Sequence, residues 1–439
     1  KRLGILSTQS STVTRAMSFL QCIWKGAAPS GKGRQSQGSH RLAQGSRGRH
    51  KARMAGADPC FTVAGNRLEL LTGGARRLDA LLALIAGATA SLRILYYIYE
   101  DDEAGVAVRD ALVAAARRGV AVSVIVDAMG SEGIGDGDFF RSLEQAGGTV
   151  CSFLPRLGRR YLLRNHQKLA LADDARIIIG GFNVENAYFG EAADGAWRDL
   201  GLLVEGPAAG RLSGYFDALA GWTDDPKAKL RTLARLLRRW SERDGQVRWL
   251  LGGPSRRLSP WARTIKREMQ RARRMDMIVA YFAPGPLILR RLGALARRGR
   301  LRLVLPARSD NRMTVRASRF TYRNLLRHRA EIFEYQPARL HTKLFVIDDV
   351  VHIGSANFDV RSMFLNMELM LRIDDPAFAA HVRGYVDGEV AQSEAITPAL
   401  DDARSGPWRR LGQGIAYFLL SAVDFNVSHG LNFRRGRID

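Results

Sequence analysis

Two short stretches carry residue types suited to work on an anionic group. RNHQKLALADD at 164–174 sets His166, Lys168 and Asp173 into an apolar run, and RLHTKLFVIDD at 339–349 repeats the frame with His341, Lys343 and Asp348. Residues i and i+2 of a strand share a face, so each histidine stands beside its lysine while Leu169 and Leu171, or Leu344 and Val346, turn to the core. Lysine neutralises an anion, and histidine can attack it or shuttle protons. Asp173 and Asp348 lie at an odd offset from the histidines and open Asp-Asp pairs between apolar runs. That pattern predicts hairpin turns, with the aspartates fixing the turn through backbone amides rather than touching substrate. Beyond each turn a strand leads into a small-residue loop, GGFN at 180–183 and GSAN at 354–357. Glycine there lets backbone approach an anion, and Asn183 and Asn357 can donate amide hydrogens to phosphate oxygens. A single His-x-Lys occurs by chance in many surface strands. Two matching frames drawn from eight histidines, each ahead of a glycine-asparagine loop, do not.

The elements that must position these residues also come twice. ARRLDALLALIAGA reads as helix, SLRILYYIY as strand, VAVRDALVAAARRG as helix and VAVSVIVDAMG as strand. The second half repeats the order in TIKREMQRARRM, DMIVAYFAPG, LILRRLGALARRG and RLRLVLPARSD. Helices alternating with buried strands predict an α/β fold of two similar α/β/α sandwich lobes, formed by internal duplication, with mostly parallel mixed sheets. The expected divisions are a disordered basic extension at 1–58, a first lobe at 59–226, a basic linker helix at 227–248, a second lobe at 249–395 and a tail at 396–439. One irregularity separates the copies: six residues lie between Asp173 and Gly180, five between Asp348 and Gly354. The shorter turn predicts a shifted register for GSAN, which bears on Asn357 more than on His341 or Lys343.

Composition bounds the partners. Sixty-seven Lys and Arg against forty-three Asp and Glu give a net charge of +24, pointing to a polyanion, either nucleic acid or anionic lipid headgroups. The first 58 residues hold many Lys and Arg, with Asp58 as their one acid, and are rich in Gly, Ser and Gln. The chain opens on Lys1, and Met17 and Met54 are alternative starts. Cys22, Cys60 and Cys151 are odd in number and widely spaced, which argues against a disulfide framework or zinc site and fits a reducing compartment. No stretch reaches 18 uninterrupted apolar residues, and ALLALIAGATASL at 80–92 reads as a core helix leading into a strand. No signal peptide is evident.

The double His-x-Lys-x4-Asp frame with its Gly-Gly/Ser-x-Asn loops resembles the phospholipase D superfamily, over roughly residues 60–395. GSANFDVRSMFLNMELML at 354–371 resembles more narrowly the bacterial cardiolipin synthases, of the kind without N-terminal transmembrane helices. The resemblance implies that both motifs meet between the lobes in one site. It implies a catalytic set of His166, Lys168, Asp173, His341, Lys343 and Asp348. One histidine attacks phosphorus to give a phosphohistidine, and the other protonates the leaving alkoxide and then deprotonates the acceptor; His166 is assigned as nucleophile and His341 as acid/base. Lys168, Lys343, Asn183 and Asn357 would hold the phosphate, and no cofactor or metal is required. It also implies a carboxylate downstream of each loop to orient a histidine, matching Asp199 and Glu368, with Asp199 serving the first motif. Both acids occupy otherwise apolar strands, where a lone carboxylate needs a reason.

The superfamily frame gives phosphodiester transfer and no finer substrate. The cardiolipin-synthase-like segment, the positive charge and the tail PWRRLGQGIAYFLLSAVDF at 407–425 with RRGR at 434–437 favour phospholipid and an anionic membrane surface. The tail fits a core-docked helix equally well. The expectation is phosphatidyl transfer from phosphatidylglycerol to give cardiolipin, by a peripheral enzyme at the cytoplasmic face of the cell membrane. A hydrolytic phospholipase D and a metal-independent nuclease are the alternatives. The acceptor alcohol and the oligomeric state are open on sequence.

Overall fold

The computed structural model describes residues 59–135, 137–153, 163–255 and 257–423. The basic extension at 1–58, with Cys22, and the tail residues 424–439 lie outside the described residues. Cys60–Asp439 forms one compact unit.

Two eight-stranded sheets organise this unit. The first runs in the order Phe61–Val63, Asn66–Leu71, Gly201–Glu205, Arg176–Gly180, Leu169–Ala172, Ser91–Tyr96, Ala121–Asp127, Thr149–Phe153. The second runs Val247–Gly252, Glu368–Asp374, Val350–Gly354, Lys343–Ile347, Arg274–Val279, Arg300–Pro306, Glu331–Tyr335, Ser393–Ala395. Setting aside Phe61–Val63 and Ser393–Ala395, the orders correspond strand for strand, so the sequence repeat is a structural duplication.

The sheets are mixed, but parallel pairing is the minority. It joins Ser91–Tyr96, Ala121–Asp127 and Thr149–Phe153 in one lobe and Arg274–Val279, Arg300–Pro306 and Glu331–Tyr335 in the other. The other pairings in both sheets are antiparallel. The expectation of mostly parallel sheets is corrected here. The Asp-Asp turns force hairpins, and each hairpin's first strand then lies antiparallel to the central strand of its sheet.

Crossover helices cover the outer faces. Glu103–Arg117 starts at Asp102, whose side chain accepts the Gly105 amide, and buries Val108, Leu112 and Ala115 at helical spacing. The inner faces share one core. Leu169, Leu171, Ile177 and Ile179 of the first sheet belong to the same buried cluster as Leu344, Val346, Val351 and Ile353 of the second. The apolar sides of the two motif hairpins therefore help fuse the lobes. The linker helix is shorter than the sequence suggests. It spans Leu230–Trp240, buries Leu233 and Leu237 and leaves Arg231, Arg235, Arg238 and Arg239 exposed, which is a solvated amphipathic helix; Val247 already begins an edge strand of the second sheet.

The turns absorb the one-residue difference between copies. Ala172 pairs with Arg176 across a three-residue connection, and Ile347 with Val350 across a two-residue one. By the site ends of the strands the registers agree, Leu169 facing Ile179 and Leu344 facing Ile353. The expected register shift at GSAN does not occur.

Candidate active site

His166 and His341 come from short extended segments just ahead of Leu169–Ala172 and Lys343–Ile347, and each segment is held by the opposite lobe. Asn165 bridges Met367 in parallel, with the His166 amide donating to the Met367 carbonyl at 3.0 Å and the Met367 amide to the Arg164 carbonyl at 2.9 Å. Arg339–Leu340 pairs in parallel with Trp197–Arg198, and the His341 amide donates to the Arg198 carbonyl at 2.7 Å. These small cross-lobe ladders decide which acid meets which histidine. His166 Nδ1 lies 3.0 Å from Glu368 Oε2, and His341 Nδ1 lies 2.7 Å from Asp199 Oδ2. The expected pairing of Asp199 with the first motif is corrected: each lobe supplies the carboxylate for the other lobe's histidine.

The lysines fold back alike. Lys168 Nζ donates to the His166 carbonyl at 2.8 Å, and Lys343 Nζ to the His341 carbonyl. Lys343 Nζ is also 2.6 Å from His341 Nδ1. A ring nitrogen cannot accept from the ammonium while donating to Asp199, and the ionised carboxylate is the stronger claimant. With Nδ1–H on Asp199, Nε2 is left with its lone pair, 3.5 Å from the Tyr188 hydroxyl.

The dyads differ electrostatically. Burial raises Asp199, but Lys343 and His341 outweigh it and hold the carboxyl below its usual range. Burial pushes Glu368 up to about 8 against the opposing effect of Ser355, Lys168 and Ser362. Ser355 Oγ donates to Glu368 Oε2 at 2.6 Å and Ser362 Oγ to Oε1 at 2.8 Å. Burial, with the Lys168 and Lys343 charges, drives His166 well below its ordinary value. Burial and Lys343 bring His341 to about 4 despite Asp199. Burial also lowers Lys168, aided by Lys343, and takes Lys343 to about 8. Two buried lysines and two neutral imidazoles converging on one spot form a site short of an anion.

Gly181 explains part of the loop. A Cβ there would land 2.5 Å from Asp199 Oδ1 and 2.9 Å from Lys343 Cδ, so only glycine lets this strand end pass the dyad. Its counterpart in the second copy is Ser355, the hydroxyl that binds Glu368. Asn183 is engaged: its Oδ1 accepts the Ile98 amide at 3.2 Å and its Nδ2 donates to Tyr188 Oη at 3.0 Å. Asn357 Oδ1 is buried with no hydrogen-bond partner among the described residues.

Asp173 and Asp348 are not at the site, and their place in the catalytic set is corrected. They stand at the far ends of the motif strands with φ of 52° and 47°, a conformation Asp tolerates in turns. Asp173 accepts the amides of Thr89, Ala90 and Ser91 at 2.9, 2.7 and 2.9 Å. Asp348 accepts those of Arg273 and Arg274 at 3.0 and 2.9 Å. The carboxylates thus pin the start of the neighbouring central strand, and not their own turns.

Several site neighbours escaped sequence reasoning. The Tyr97 ring meets His166 edge-on at 5.1 Å with Lys168 Nζ 5.2 Å from its centre. Tyr188 and Trp197 stand 5.1 and 5.3 Å from His341. Arg77 is buried and donates to the carbonyls of Asp199 and Tyr188 at 2.6 and 2.7 Å. Aromatic residues at strand ends look like core, and an arginine in an amphipathic helix looks solvated. The one available signal was the place of Arg77 on the apolar stripe of Gly74–Ala86, four and seven residues ahead of Leu81 and Leu84. Among the described residues no group of three or more His, Cys, Asp or Glu is placed to hold a metal ion.

A duplicated α/β chain joining one His-Lys pair from each half in a single site is a phospholipase D-like protein. The profile of the family described as "Cardiolipin synthase, PLD-like domain" matches residues 81–219 and 265–389. Cardiolipin synthase A of Pseudomonas putida (strain W619) is 31% identical over 371 residues, covering 82% of this chain and 75% of the relative. Cardiolipin synthase A of Edwardsiella ictaluri (strain 93-146) is 28% identical over 374 residues, covering 81% and 75%. The chain belongs to the cardiolipin synthase, PLD-like domain family. The crystal structure of phosphatidylserine synthase from Haemophilus influenzae Rd KW20 shares the fold, with a TM-score of 0.64 and 12% identity over 83% of this chain and 95% of that one.

Proposed function

We propose that the protein is a cardiolipin-synthase-type phosphatidyltransferase that moves a phosphatidyl group from phosphatidylglycerol to the hydroxyl of a second phospholipid. The carrying observation is the crossed pair of dyads, which presents two imidazoles, each held by an acid of the other lobe, to one lysine-flanked spot. The bound phosphate anion offsets the lysine charges that hold His341 neutral and lets it take up a proton at Nε2; His166 Nε2 then attacks phosphorus, the bond to the leaving alkoxide breaks and His341 gives that oxygen its Nε2 proton. The acceptor hydroxyl then attacks the phosphohistidine, its proton passes to His341, and the P–N bond breaks. The ionised Asp199 supports this division, because it stabilises the imidazolium that His341 becomes in each cycle. Lys168 and Lys343 hold the non-bridging oxygens as charge builds in the five-coordinate transition state. Asn357, two residues beyond the Ser355 that binds Glu368 and with its buried side-chain oxygen unpaired among the described residues, supports a role in the same cradle.

The enzyme works on a membrane from outside the bilayer, at its cytoplasmic face; no helix among the described residues is long and apolar enough to cross one. The test is incubation with phosphatidylglycerol vesicles and EDTA, lipids followed by mass spectrometry, beside a labelled single-stranded DNA. Cardiolipin with intact DNA is expected. Phosphatidic acid alone would make it a hydrolase, and degraded DNA with unchanged lipid a nuclease.

A further inference from the structure

A second anion-seeking feature lies away from the histidines. A pocket of about 810 Å³ opens between the helices Arg312–Arg327, Pro398–Arg404 and Pro407–Phe418. Arg308, Arg312, Arg316, Arg319, Arg404 and Arg409 line it, against three acids, Glu334, Glu394 and Asp401. Glu334 is committed to Arg319 at 2.8 Å and Glu394 to Arg404 at 2.7 Å. Among the described residues Arg308 and Arg409 donate to backbone carbonyls, of Gln336 and Arg404, and to no carboxylate. Arg312 and Arg316 are exposed and have no acidic partner among the described residues. Pro407–Phe418 begins at Gly406 without a side-chain cap, so its first amides and the positive end of its dipole add to the basin's rim at Ser405 and Trp408.

The same helix carries an apolar stripe with no partner among the described residues. Ala416 and Tyr417 dock, the tyrosine ring stacking on Phe320 at 5.1 Å and its hydroxyl donating to the Pro284 carbonyl at 2.7 Å. Trp408, Leu411, Ile415 and Phe418, spaced by three, four and three residues, share another face and are 85, 54, 51 and 60% exposed. Trp408 belongs to both features: it lines the basin and opens the stripe. The wall toward the catalytic site is one loop thick. Asp310, between Arg308 and Arg312, accepts from Tyr281 Oη at 3.1 Å, and the Tyr281 ring stands 6.5 Å from His341.

We propose that this edge of the second lobe docks an anionic phospholipid of the bilayer, its headgroup phosphate in the arginine basin and the Trp408–Phe418 stripe in the acyl boundary. The proposal rests on the phospholipid reading above and adds a lipid site separate from the catalytic one. Charge and shape select the occupant. The arginines ask for an anion, the basin is headgroup-sized where a duplex would need an open groove, and a stripe of Leu, Ile and Phe beside it gains nothing from nucleic acid but inserts well into lipid. Docking here would bring the catalytic histidines to the membrane surface one loop away.

The test is cosedimentation of the full chain with vesicles of phosphatidylcholine alone and of phosphatidylcholine mixed with phosphatidylserine, an anionic lipid that is not the proposed donor. Binding to the mixed vesicles alone is expected. Arg312→Glu with Arg316→Glu should weaken it by at least roughly twenty-five-fold, about fivefold for each arginine lost, while Arg312→Lys with Arg316→Lys keeps it. Leu411→Ser with Phe418→Ser should weaken it by at least roughly tenfold. Equal binding by the charge-reversed protein, equal binding to phosphatidylcholine, or a stripe needed only for self-association in sedimentation velocity would overturn the proposal, as would arginine-dependent DNA binding without vesicle binding. Turnover is scored separately by mass spectrometry. Vesicle binding without cardiolipin production would therefore sink the phosphatidyltransferase reading and leave the docking site standing.

Discussion

Replacing Asp199 by Asn probes the crossed dyads most directly. The change keeps shape and removes charge at a fully buried position 2.7 Å from His341 Nδ1. When His341 holds a proton, its charge is centred about 4 Å from the carboxylate, and at an effective dielectric near 20 that attraction amounts to roughly 4 kcal/mol. Losing it while His341 must accept a proton in the transition state should slow turnover by roughly a thousandfold. The Leu200 amide, which Asp199 Oδ1 accepts at 2.7 Å, still finds an oxygen on Asn, so the fold should survive. Two readouts are needed. Cardiolipin formation in mixed micelles gives kcat, and nitrogen-15 spectra of labelled histidine show which ring is disturbed. The expected result is a shift of the His341 ring nitrogens with His166 unchanged, and the converse for Glu368→Gln. A fall of less than tenfold, or an Asp199→Asn shift confined to His166, would refute crossed pairing.

Three further outcomes follow from the geometry. Burial lowers Lys343 to about 8 against Asp199 and Glu368, which hold it up; its ammonium is present below that pH and lost above it, so kcat/KM should fall as pH rises through about 8, with Lys343→Arg flattening the limb. Gly181→Ala would place a Cβ on Asp199 and Lys343 and should cost roughly a hundredfold in kcat by displacing the dyad, so unaltered steady-state kinetics would contradict the close approach. Asp173→Asn should remove roughly 1–2 kcal/mol of stability in urea unfolding while folded protein stays active; because backbone amides depress this carboxyl to about 2 despite its desolvation, the contribution is present above its unfolded pKa of about 3.9 and fades as pH falls through about 2.

Much of the site was legible because local pattern and chemistry coincide in the motif. His166, Lys168, His341 and Lys343 interrupt apolar runs, and Asp199 and Glu368 are acids with no local reason to be buried. Their pairing was not legible. It depends on Asn165 meeting Met367 and on Arg339–Leu340 meeting Trp197–Arg198, contacts between segments more than a hundred residues apart that leave no periodic trace. Strand direction failed for a related reason. The helix-strand alternation is plain in the sequence, but the hairpins at Asp173 and Asp348 reverse the chain inside each sheet. Tyr97, Tyr188 and Trp197 were hidden because an aromatic ring against a histidine and one against a leucine have the same sequence signature, and Arg77 because its carbonyl partners at Asp199 and Tyr188 lie more than a hundred residues away.

Gly181 opposite Ser355 has a consequence for how the two halves have diverged. In a dimer of identical lobes, every residue would appear in both dyads, and neither imidazole could differ from the other. Covalent fusion removes that constraint, and this chain has used the freedom. One half retains a bare glycine beside an ionised aspartate, and the other holds a glutamate under two serine hydroxyls. In the mechanism proposed above, broken symmetry of this kind is what lets one imidazole specialise in bonding to phosphorus and its twin in carrying protons. Exchanging the two loops should therefore damage the enzyme, although each loop is native to the fold.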